Sequence, residues 1–125
     1  MIAGHLGVAL GARALRPKAP LVWLLAAAIV PDIVDGVYAL AEVCSPNGTW
    51  SHSLPAIAVL SGVTMALAYA GTRSGAIALV FGLVVLAHVP ADWLTGEKAL
   101  WLHGPVVGLN LYRWPAVDFV REPPR

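Results

Sequence analysis

Apolar residues in this chain fall into blocks separated by short polar breaks. Residues 20–43 form the longest block, interrupted by Pro31, Asp32, Asp35, Gly36 and Glu42. Residues 54–70 carry no charge, and residues 75–94 carry none until His88 and Asp92. A helix rises about 1.5 Å per residue and a bilayer core takes about 20 apolar residues, so each block is long enough to span. Residues 1–15 are fewer and are broken by His5 and Arg13, which predicts a short helix packed within the bundle. No basic residue precedes this first apolar run, so it does not read as a signal peptide. The breaks at residues 16–20, 45–49 and 71–74 are rich in Pro, Gly, Ser and Asn, the residues that make turns. Residues 95–105 read as a loop. Residues 106–120 are apolar but broken by Asn110, Arg113, Pro115 and Asp118, and with Trp101, Tyr112 and Trp114 they suit the membrane interface.

Composition agrees with a lipid environment. Of 125 residues, 58% are hydrophobic and 12% charged, about half the charge of a soluble domain. That excludes a soluble globular domain, a disordered chain, a coiled coil and a collagen-like chain. The expected fold is all-α, an integral membrane bundle of about four helices with a short interfacial C-terminal segment, forming one domain over residues 1–125. Net charge is +1, which leaves no electrostatic footprint for nucleic acid. The single cysteine, Cys44, excludes an intrachain disulfide and a cysteine-based zinc cluster. Small residues at Gly4, Gly7 and Gly11, at Ala58, Gly62, Ala66 and Ala70, and at Gly75, Ala78 and Gly82 form helical stripes. Such stripes let helix backbones approach within one chain or between copies. Arg13, Arg16, Lys18 and Arg73 mark their two connections as cytoplasmic, although Lys98, Arg113, Arg121 and Arg125 balance the count.

The informative residues are the polar ones inside apolar blocks. A charged side chain at the centre of a lipid-embedded helix costs about 2.5–3.5 kcal/mol on insertion scales, so it usually faces an interior and has a role. In an up-and-down bundle, His5, Asp32, Asp35, His52, His88, Asp92 and the following His103 converge toward the same face of the membrane, the outer one by the charge rule. His88 and Asp92 are four apart and share a helical face, as do Asp32 and Asp35 at a spacing of three. Imidazole and carboxylate are ligands of zinc and related divalent metals. Each residue has a plainer explanation alone: Asp32 as a helix cap, His52 as an interfacial residue, His88 and Asp92 as a hydrogen-bonded helix bridge. A metal site accounts for all of them together.

The ordered set Ala28-Ile-Val-Pro-Asp32, Ser51-His52-Ser53-Leu54 and His88-Val-Pro-Ala-Asp92, with His5-Leu6-Gly7 at the start, resembles the YdjM-like membrane-bound metal-dependent hydrolases over about residues 1–105. That family is distantly similar to zinc-dependent phospholipases C and zinc single-strand nucleases. The resemblance implies that Asp32 or Asp35, with His52 and His88, holds a first metal. It further implies that Asp92 bridges to a second metal held by His5. For a third site only His103 and Glu97 are candidates. This chain departs from the pattern in its second acid, three residues after the first, and in lacking a His-Arg pair before the His-Ser motif.

The expected function is therefore metal-dependent hydrolysis of a phosphoester, with membrane lipid as substrate, one or two divalent ions (zinc, or manganese and its like) as cofactor, and the site on the outer face of a prokaryotic cytoplasmic membrane. Whichever of Asp32 and Asp35 is not a ligand would position or deprotonate the attacking water. Two other classes use the same residues: a transporter of metal ions or protons, and a non-catalytic membrane subunit with a structural metal.

Overall fold

The computed structural model describes residues 2–43, 49–109 and 111. Seven helical segments and one short hairpin are found among them. They are α1 (Ile2–Leu15), α2 (Leu21–Ala28), α3 (Val30–Leu40), α4 (Thr49–His52), α5 (Leu54–Thr72), α6 (Gly75–Leu86) and α7 (His88–Thr95), then β1 (Lys98–Ala99) and β2 (Val106–Val107). Two stretches are long and apolar enough to cross a membrane, Leu54–Thr72 and Gly75–Thr95, and a third exists if the bent pair α2 and α3 is one span. The protein is a largely helical membrane protein. Of the about four helices expected from the sequence, α1 and α5 run unbroken, while the other two are interrupted at Ile29 and at Ala87.

Proline makes the breaks. Pro31 has no N–H, and its ring crowds the carbonyl four residues back. The chain leaves helical geometry at Ile29 (φ −112°, ψ 7°), and α3 departs from α2 at 54°. Pro90 stands likewise in the first turn of α7, after the interruption at Ala87. Serines start the long helices. Ser53 Oγ accepts from the Ala56 amide and Ser74 Oγ from the Ile77 amide, both at 3.4 Å, relieving orphan donors of the first turn. Helix α5 ends on Arg73 in the left-handed region (φ 53°).

Helix α6 is central, packed by α5, α2 and α1. It buries Ala78, Phe81, Gly82, Val84 and Val85. Helix α5 buries only Ile57 and Ser61, so most of its apolar surface faces outward, as lipid permits. The core is small and alanine-rich: Ala9, Ala19, Leu24, Ala27, Ala28, Ile57, Phe81, Val84 and Val85. Ser61 Oγ donates to the Gly82 carbonyl at 3.0 Å, a cross-helix bond worth about 0.6 kcal/mol in a bilayer. A side chain at Gly82 would run into Met65 and Ser61, so this glycine does permit a close approach. The other stripes behave differently. A Cβ at Gly4, Gly7, Gly11, Gly62 or Gly75 would meet nothing within 4 Å. The inner face of α1 is the one carrying His5 and Ala9, both 2% exposed or less, and its glycines lie off that face.

Residues 96–109 are more ordered than a loop. Strands β1 and β2 pair antiparallel, Lys98 with Val107 and Ala99 with Val106. The Leu54 amide donates to the Leu100 carbonyl at 2.9 Å, and the Leu109 amide to the Trp93 carbonyl at 2.6 Å, so the hairpin is tied to α5 and α7. The expected interfacial segment lies mostly outside the described residues, as do Cys44 and residues 45–48. Gly108 is the close point of this closure: an added Cβ would collide with the Gly96 carbonyl and stand 2.8 Å from Glu97 Cα. Backbone cannot give way as a flexible side chain can. Gly108→Ala is therefore expected to destabilise the fold by about 1–3 kcal/mol, the usual cost of overpacking. A thermal melt in detergent measures this, and an unchanged midpoint would contradict the packing described.

Candidate metal centre

Five of the seven expected ligands meet at one place. His5 comes from the first turns of α1, Asp32 from the first turn of α3, His52 from the end of α4, and His88 and Asp92 from α7. The Pro31 break sets two of the contacts. It starts α3 beside the site, so that Asp32 reaches the histidines, and it leaves the Ala28 carbonyl within reach of His88. His88 Nδ1 lies 3.1 Å from that oxygen. A carbonyl only accepts, so Nδ1 carries the hydrogen and Nε2 keeps its lone pair.

His52 is held in the same sense. Ser51 Oγ donates to Asp35 Oδ1 at 2.7 Å, and the same oxygen lies 2.6 Å from His52 Nδ1. With the hydroxyl hydrogen on the carboxylate, Oγ can accept from Nδ1–H, the tautomer that would leave Nε2 open to a metal; Nε2 itself lies within hydrogen-bond reach of Asp32 Oδ1, at 3.4 Å.

Those two Nε2 atoms alternate with two carboxylate oxygens. His52 Nε2 lies 3.4 Å from Asp32 Oδ1 and 3.4 Å from Asp92 Oδ2. His88 Nε2 lies 3.6 Å from each of the same oxygens. These are long for charge-assisted hydrogen bonds, which run about 2.7–2.9 Å. They are close to four of the six edges of a tetrahedral shell, whose ligands, about 2.0–2.1 Å from an ion, stand about 3.3 Å apart. His5 Nε2, Asp32 Oδ2, His88 Nε2 and Asp92 Oδ2 are buried without a hydrogen-bond partner. Such atoms are costly unless something unites them. A cation would unite them, and the donor set fits zinc or another divalent ion.

His5 occupies the other side of Asp92. Its Nε2 lies 3.2 Å from Asp92 Oδ1, and its ring stacks on His88 with centroids 3.6 Å apart and planes within 8°. An imidazole binds through a lone pair in its ring plane. Two parallel rings so separated cannot both direct their lone pairs at one ion. His5, His88 and Asp92 do form a group close enough to hold a metal, as do Asp32, His52 and His88. The stacking means that His5 and His88 serve different positions, with Asp92 turning one oxygen to each. Four of the five side chains are buried, while Asp32 is 37% exposed, so the centre opens at the Asp32 edge.

The remaining candidates lie elsewhere. Asp35 belongs to neither group; it stands behind His52 through Ser51. His103 is exposed in the hairpin connection with a left-handed backbone (φ 59°). It borders a cavity of about 280 Å³ shared with Trp50, Ala99, Leu102 and Val106, and joins neither group. Glu97 joins neither as well. What sequence reading missed were the orienting partners, Ser51 and the Ala28 carbonyl. Ser51 stands next to His52, and Pro31 marks a helix break beside Ala28.

No curated protein and no solved structure matches the chain. A family model described as YdjM inner membrane protein matches residues 1–115. That match covers all five converging residues and nearly the whole chain, and the chain belongs to the YdjM inner membrane protein family.

Proposed function

We propose that this protein is a membrane-embedded hydrolase dependent on divalent metal, acting on phosphoesters of membrane lipids. The observation that carries the reading is the closed ring of two imidazole Nε2 atoms and two carboxylate oxygens at 3.4–3.6 Å. Asp32, His52, His88 and Asp92 would hold one ion, and His5 with Asp92 Oδ1 a second; zinc is the leading choice and manganese the next. A bound divalent ion supplies Lewis acidity toward phosphoryl oxygen and lowers the proton affinity of bound water toward neutrality. The chain supplies the rest. Asp32 Oδ2 is buried beside the centre without a hydrogen bond, and it would be the oxygen to accept a proton from a water held there. His88 and His52, held at Nδ1, keep the ligand geometry fixed while substrate enters.

Lipid is favoured as substrate by position. His52 precedes the Leu54–Thr72 span by two residues, and Asp92 lies three residues before the end of the Gly75–Thr95 span. A centre at the ends of two spans meets headgroup phosphates without extracting them. By the basic connections this end is the outer face. Incubating detergent-purified, metal-loaded protein with headgroup-labelled phospholipid vesicles should release water-soluble phosphate label, and Asp32→Asn should lower that release by about 100-fold or more, the usual effect of removing a general base. No release from any phospholipid class by protein with a filled site would reject the hydrolase.

A further inference from the structure

We infer that Asp35 and Ser51 form a positioning pair that fixes the tautomer of His52 and so its readiness to bind metal. The inference rests on the metal reading above. His88 is oriented by a backbone carbonyl, which no side-chain change alters. His52 is oriented by a side chain that itself needs orienting. A serine hydroxyl can donate to Nδ1 or accept from it, and only the second leaves Nε2 free for a metal. The Asp35 carboxylate, 2.7 Å from Ser51 Oγ, decides the direction by taking the hydroxyl hydrogen. Oγ then presents lone-pair density to His52 Nδ1 at 2.6 Å. Ser51 is fully buried and His52 is 5% exposed, so bulk water does not compete at this junction. Helix α3 thus contributes twice. Its first turn carries the ligand Asp32, and one turn later it carries the residue that orients a ligand on α4.

This assignment separates Asp35 from two other roles. A ligand would place an oxygen in the ring of four atoms, where Asp35 has none. A general base would need its charge, whereas an orienting acceptor needs only a carbonyl-like oxygen. Asp35→Asn retains such an oxygen and Asp35→Ala does not.

The test is competition for zinc against a fluorescent chelator, using the full chain in detergent. Outer-sphere partners of ligating histidines typically govern 10–100-fold in affinity. Asp35→Ala and Ser51→Ala should each weaken zinc binding by about that factor. The double variant should be no weaker than the worse single one, because both act through one hydrogen. Asp35→Asn should recover most of the affinity. A second readout needs no metal: nitrogen-15 spectra of histidine-labelled apoprotein should show His52 protonated at Nδ1, shifting toward Nε2–H in Asp35→Ala. Unchanged zinc affinity in Asp35→Ala, losses that add in the double variant, or a wild-type His52 already protonated at Nε2 would each overturn the pair. Failure of the wild type to bind zinc, manganese or cobalt would instead overturn the metal reading, and the spectra would still decide the pair.

Discussion

Replacing His88 with alanine is expected to weaken metal binding by about two orders of magnitude or more while leaving the helices in place. His88 belongs with Asp32 and His52 to a group close enough to hold an ion. It is 1% exposed, its Nδ1 is fixed by the Ala28 carbonyl, and its Nε2 stands 3.6 Å from both Asp32 and Asp92. Structural zinc sites with four ligands bind with about 10–16 kcal/mol, or about 3 kcal/mol for each ligand, which is about a hundredfold in affinity. The loss here includes the stack on His5, which would no longer be held against a neighbouring ring. Elemental analysis of purified protein measures the occupancy, and circular dichroism checks the helices. His103→Ala is the control: His103 is exposed and outside both groups, so its loss should leave metal content unchanged. Equal metal content in wild type and His88→Ala would mean that the ion sits elsewhere or that the cluster holds none.

The sequence made the spans and the converging His and Asp residues readable for one physical reason, the cost of polar atoms in lipid. Charge-free runs such as residues 54–70 need no other explanation than a membrane, and His88 and Asp92 inside the next run stand out against it. The choice between Asp32 and Asp35 was not readable. On an ideal helix the two point only about 60° apart, and the bend at Pro31 decides which one meets the histidines. A proline in the sequence announces a break but does not give its angle or direction. Which stripe packs within the chain was unreadable for a related reason. Gly4, Gly7 and Gly11 share a face, yet nothing in their spacing says whether that face meets a helix, and the face packed within the chain is instead the one with His5 and Ala9. The hairpin was hidden because two-residue strands carry no alternation to detect, and its closure depends on Gly108 meeting Gly96, a contact between backbones.

Asp92→Asn should distinguish a metal centre from a clasp of protonated histidines, because the two predict opposite signs for the stability of the metal-free protein. Asp92 reaches three imidazoles: His5 through Oδ1 at 3.2 Å, and His52 and His88 through Oδ2 at 3.4 and 3.6 Å. In a clasp, the carboxylate neutralises buried imidazolium. Removing its charge would leave that charge unpaired and destabilise the fold by about 3–5 kcal/mol. In a metal centre without its ion, the carboxylate oxygens instead face bare nitrogen lone pairs, and Asp32 adds a second negative charge across the ring. An asparagine amide there relieves the repulsion and can donate to His52 or His88. The metal-free Asp92→Asn protein should therefore melt no lower than the metal-free wild type. Addition of metal at 100 times its dissociation constant should stabilise the wild type by about 2.7 kcal/mol, and the variant, short of a ligand to both positions, by far less. Melts with and without zinc, in both proteins, give the four midpoints required. A large drop in the metal-free variant, with no zinc-dependent rise in the wild type, would replace the metal centre by the clasp. The expected pattern assigns the burial of three histidines and two aspartates to an ion, since only then does losing a carboxylate cost the protein its metal and not its fold.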